Sequence, residues 1–165
     1  MQLKELYDYK NQLMQDLLTS PEIVRLITDG NIPSDPRTLA YKQVFPYEYI
    51  PETVEHGTTY VCFDVDVQKA IDDTYTRYVI YIWVMSHKSQ LRLLEGGVRP
   101  DKIAIEIADV LNGSWKYGLG KLDLYSSKRW APTSDYQGKV LTFHATDFNR
   151  TSATKHPVPA NRKGG

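Results

Sequence analysis

The stretch YVIYIWVMSHKSQL, Tyr78 to Leu91, constrains the fold more than any other part of the chain. Its β-branched and aromatic content marks a strand. Side chains alternate between the two faces of a strand, so Tyr78, Ile80, Ile82 and Val84 point one way and Val79, Tyr81, Trp83 and Met85 the other. Both sets are apolar, and a strand of that kind needs cover on both sides. Helices of the same chain supply one cover; the other requires a second layer or a partner subunit. The run is therefore expected to be the central strand of a sheet. His87 marks where that strand emerges into water. A general base would need a nucleophile or an orienting acid beside it, and the sequence places neither there.

The neighbouring segments fit a sheet backed by helices. Leu3, Leu6, Tyr7, Leu13, Met14, Leu17 and Leu18 recur at three- and four-residue steps, which predicts an amphipathic helix over residues 2–18. Ser20-Pro21-Glu22 opens a second helix through Ile27, stopped by Gly30. Residues 31–57, punctuated by Pro33, Pro36, Pro46 and Pro51, read as extended, with one short helix near Arg37 to Lys42. TTYVCFDVDV, Thr58 to Val67, alternates: Val61, Phe63 and Val65 face the core, while Tyr60, Cys62, Asp64 and Asp66 form a wet face. QKAIDDTYTR then reads as a loop. A helix follows in RPDKIAIEIADVLNG, with Asp101 near its start, Ile103, Ile107, Val110 and Leu111 as its stripe, and Asn112-Gly113 at its end. Two further strands span Gly120 to Trp130 and Gly138 to Phe148, joined by a segment with Pro132, Ser134, Asp135 and Tyr136 that reads as too long for a tight hairpin.

This order predicts one α+β domain over residues 1–149, a mainly antiparallel sheet of about four strands with helices packed on one face and extended arms. The segment 150–165 is polar, rich in Pro and Gly, and expected to be a disordered tail. Acidic and basic residues balance at 20 each, so no overall field draws the chain to nucleic acid or acidic lipid. Cys62 stands alone, which excludes an intramolecular disulfide and a four-cysteine zinc site. The N-terminus lacks the pattern of a secretory signal, and no apolar run approaches the roughly 20 residues that span a bilayer. The expected compartment is the cytoplasm.

Few residues carry chemistry. Asp64 and Asp66 share a strand face, as paired carboxylates that hold a divalent metal do, yet a solvated edge has the same pattern. GLGK, Gly118 to Lys121, lies between a helix and a strand, the reverse of a phosphate loop, so its glycines suit a tight turn or close backbone approach. VFPYEYIP, Val44 to Pro51, sets Phe45, Tyr47 and Tyr49 around two prolines, where they anchor on a neighbour or in the subunit's own core. Twelve tyrosines are many for this length, and tyrosine suits interfaces where one end of the ring stays wet.

The series VFPY, TYVCFDVDV, YVIYIWVMSH, RPDKIAIEIADVLNG, GLGKLDLYSS and KVLTFHATDFN resembles, over residues 1–149, the neck proteins of tailed bacteriophages, nearest to the tail terminator, also called the tail completion or head–tail joining protein. The resemblance implies a non-enzymatic virion subunit without cofactor, metal or catalytic residues. It implies a homo-oligomeric ring, commonly a hexamer, between the tail-tube protein and the head-side connector or adaptor. DNA would pass through the central channel without sequence-specific binding and without any membrane, and the ring would be assembled in the host cytoplasm. The candidates for subunit contact are Phe45, Tyr47, Tyr49, Tyr81, Trp83, Trp130 and Tyr136. Two alternatives are another neck ring, such as a head-closure or adaptor protein, and a small metal-dependent enzyme using Asp64, Asp66 and His87.

Overall fold

The computed structural model describes residues 3–51, 57–70 and 74–148. The predicted tail 150–165, and Asp72 and Asp73, lie outside the described residues. Among the described residues, three α-helices and five strands follow one another: α1 (Leu3–Leu18), α2 (Pro21–Ile27), β1 (Val44–Phe45), β2 (Thr59–Ala70), β3 (Tyr75–His87), α3 (Arg99–Leu111), β4 (Asp123–Thr133) and β5 (Tyr136–Phe148). The strands form one sheet in the order β1-β2-β3-β5-β4. The α+β class is as expected, and the doubly apolar β3 is the central strand. The sheet has five strands rather than four and is mixed, because the two-residue β1 pairs parallel to β2 at Val44–Val61 and Phe45–Cys62.

All three helices lie against one face. Leu13 and Leu17 of α1, Ile23 and Leu26 of α2, and Ile103 and Ile107 of α3 are fully or almost fully buried, together with Val61, Phe63, Ile80, Ile82 and Phe143 of the sheet. Each such side chain contributes about 1.5–3 kcal/mol by leaving water. Two predicted stripe residues of α1, Leu3 and Tyr7, stay exposed at its N-terminal end, as does Val110 of α3. Buried Arg99, at the start of α3, locks this layer. It donates to Leu26 O and Gln90 O at 2.8 Å each and to Asp29 Oδ1 at 2.7 Å.

Three connections depart from the sequence reading. QKAIDDTYTR is largely strand, since β2 runs on to Ala70 and β3 begins at Tyr75. The helix near Arg37 is a single 3-10 turn, Pro36–Leu39, opened by Asp35, whose carboxylate accepts from Arg37 N. The β4–β5 connection is a tight hairpin after all: Thr133 pairs with Tyr136 across Ser134-Asp135. Pro132 does not end the strand because it sits at an irregularity between Trp130 and Thr133 on an edge strand, where its missing N–H interrupts no ladder.

Candidate functional site

The sheet face opposite the helices is where the aromatic residues gather. VFPYEY leaves β1 at Pro46 and folds back over β2. The rings of Phe45 and Tyr49 stack with centroids 4.1 Å apart, and Tyr49 packs against Tyr60 of β2 at 5.4 Å. Tyr60 in turn meets Tyr136 at the start of β5 at 6.0 Å. Beneath them Phe45, Cys62, Met85 and Tyr136 form a small second core. The Cys62 thiol lies 3.6 Å from Tyr49 O, and burial pushes its pKa up to about 12, so it is no thiolate near neutral pH. Part of the expected wet face of β2 is thus dry, covered by the chain's own proline-held segment.

The aromatic chain continues beyond that cover. Tyr81 stacks on Trp83 at 5.7 Å, and Trp83 meets Trp130 of β4 at 6.3 Å. All three are half-buried, while Tyr47, tilted against Phe45 at 5.6 Å, is exposed. The seven residues named from the sequence therefore come together on one face. Phe45 and Tyr136 are buried in the subunit's own packing; Tyr47, Tyr81, Trp83 and Trp130 present ring surface outward. Sequence reasoning passed over Tyr60 and Met85, although both fall on the right side of the alternation.

The carboxylates of the enzymatic alternative are kept apart from its histidine. Asp64 receives the Lys10 ammonium at 2.6 Å and its Oδ1 accepts from Val65 N at 2.8 Å. His87 caps a 3-10 turn: its Nδ1 accepts from Ser89 N at 3.2 Å and lies 2.7 Å from Ser89 Oγ. Asp64 pairs with Tyr81, six residues before His87 on β3, which separates them by about 20 Å. Among the described residues no three His, Cys, Asp or Glu side chains cluster as metal ligands. Gly118 has φ +103°, and a Cβ there would lie 2.6 Å from Thr146 O, which is the close backbone approach its sequence suggested.

The described residues also line concavities. A groove of about 780 Å³ between α1, α2 and the 3-10 turn is walled by apolar Met14, Leu18, Val24, Ile32 and Pro36. A polar cleft of about 580 Å³ at the far end of the aromatic face holds Arg77, Lys121, Tyr125 and His144. His144 stacks on Tyr125 with centroids 4.1 Å apart, and burial followed by the Arg77 charge lowers its pKa. Among the described residues no helix is long and apolar enough to cross a membrane.

The model of one protein family, YomW, matches residues 7–145, from α1 into β5. The chain belongs to the YomW family. That name is styled as a phage-derived gene product, which suggests a phage origin for this protein. No curated protein matches it. The YomW match takes in the entire aromatic face, from Phe45 to Tyr136, and most of the helical layer behind it.

Proposed function

We propose that this YomW-family protein is a structural subunit of the phage neck. Copies form a ring that caps the tail tube and joins the tail to the head-side connector, with a channel for DNA. The observation that carries the reading is the sheet face opposite the helices, where Tyr81, Trp83 and Trp130 remain half-exposed beside a dry aromatic core. Tyr and Trp bury large area at low entropic cost, and such surfaces are enriched where subunits meet. A ring contact is heterologous, joining two different patches of the same subunit, and a face with unlike edges suits it. The engagement of Asp64 by Lys10 and of His87 by Ser89 favours a non-enzymatic subunit over a metal-dependent enzyme.

Disrupting the gene in a phage that carries it tests this. The expected particles are filled heads beside unjoined tails of irregular, excessive length, seen by negative-stain microscopy. Unjoined tails of normal length would move the protein to a head-side ring. Normal, joined particles would overturn the neck assignment.

A further inference from the structure

The two edges of the sheet differ in charge and match in geometry. At one edge, β1 covers only Val61 and Cys62 of β2. Val61 N donates to Gln43 O on that side, so by alternation the backbone groups of Phe63, Val65 and Val67 point to the same side beyond the end of β1. Among the described residues no strand pairs with Val65 N there; it is bonded to the Asp64 carboxylate, which Lys10 of α1 also engages, and a strand docking at this edge displaces that local bond. At the other edge, β4 has a neighbour only in β5 among the described residues. Unpaired edges of this kind are templates for another strand.

Near the middle of the two edge strands the charges are opposite in sign, although β4 begins with exposed Asp123. Asp66, opposite Val79, is exposed on the aromatic face of β2, next to Asp64, whose carboxylate is shared with Lys10. Lys128, opposite Val140, is exposed on the same face of β4, next to exposed Arg129. Asp66, Lys128 and Arg129 make no ion pair among the described residues. Pairing β4 with the β4 of a second copy sets Lys128 and Arg129 against their equivalents, and pairing β2 with β2 sets acid against acid. Like charges opposed across a sheet destabilise it, whereas β2 against β4 opposes unlike charges. The strand directions agree. Three antiparallel steps separate β2 from β4, so they run in opposite senses, and rotating a copy into place beside the first sets β4 antiparallel to the next β2. Setting Asp66 opposite Lys128 places Asp64 opposite Trp130 and Val67 opposite Ser127, within the regular stretches of both strands.

We infer that the exposed β2 edge of one subunit, with Asp66, pairs antiparallel with the β4 edge of the next subunit, with Lys128, making a continuous sheet around the assembly. The inference rests on the ring reading and names the surface that closes it. The partner is a second copy of this chain.

Native mass spectrometry of the full chain, alone and as Asp66→Lys, Lys128→Asp and the double exchange, tests it. Each single reversal is expected to raise the protomer concentration needed for assembly by about tenfold, and the double exchange to restore it. At concentrations where all variants are dissociated, melting temperatures should stay within about 2 °C of the wild type, since both side chains are exposed. A wild-type oligomer that the single reversals leave intact, or that the double exchange does not restore, overturns the edge pairing and leaves the ring reading standing. A wild-type protein that stays monomeric overturns both.

Discussion

Tyr117 donates a 2.6 Å hydrogen bond to Oδ2 of Asp16, joining the loop after α3 to the buried side of α1 across 101 positions of sequence. The other oxygen of Asp16 accepts from Gln12 and from Lys116, at 2.8 and 2.9 Å. A buried carboxylate is tolerated only when it is bonded in this way. Replacing Tyr117 with Phe keeps the ring and removes the donor. The expected cost is about 1–3 kcal/mol. At about 2–4 °C per kcal/mol, a thermal melt resolves it. An unchanged melting temperature would show that water replaces the phenol without loss.

The same region predicts how stability responds to alkali. Burial, and then the Asp16 carboxylate, hold the Tyr117 hydroxyl far above its ordinary pKa. Burial, and then Tyr9, do the same for Tyr78. An unfolded tyrosine ionises near pH 10. Below that pH both states keep the protons, and these groups give no pH dependence. Above it the unfolded chain loses them first, so stability falls by about 1.4 kcal/mol per pH unit for each tyrosine, about 2.7 for the two. Cys62, held up to about 12, adds the same sign. Urea unfolding at a series of pH values from about 8 to about 11 should show a shallow decline from Cys62 above about pH 8.5 and a steeper one above about pH 10. A flat profile to about pH 11 would contradict the burial of these hydroxyls.

Gly138 sits opposite Met85 of β3 and Trp130 of β4. A Cβ built there would lie 1.7 Å from Val84 O, with Met85 Cα also near. Neither is the movable end of a side chain, so Gly138→Ala has to displace a central strand. We expect a loss of more than about 2 kcal/mol, in the upper range of overpacking effects, read as a lower urea midpoint. Gly120→Ala, where a Cβ meets nothing within 4 Å, is the matched control and should be close to neutral. Equal effects from the two would contradict the close approach of β3 and β5.

What the sequence disclosed follows from how local each signal is. The two apolar faces of Tyr78 to Met85 are visible within eight residues, and they placed β3 at the centre of the sheet with helices on one side. The alternation of Val61, Phe63 and Val65 set the inward face of β2 for the same reason. Pro132 misled because proline disfavours a central strand and not an edge, and edge status depends on which strands lie beside it. β1 was missed because two residues have no periodicity. The aromatic candidates were legible by residue type, and the structure gathered them, but their division into buried Phe45 and Tyr136 and outward Trp83 and Trp130 depends on the return of the chain after Pro46. The Asp16–Tyr117 bond, spanning most of the domain, leaves no local trace.

The proposed assembly is a closed ring of copies of this chain. Mass measured by light scattering on purified protein, with negative-stain images of the same fraction, tests it most directly. We expect closed rings with an open centre and a mass several times the 19.0 kDa protomer, six times for a hexamer. A protein that remains at 19.0 kDa and shows no rings at micromolar and higher concentrations would contradict it.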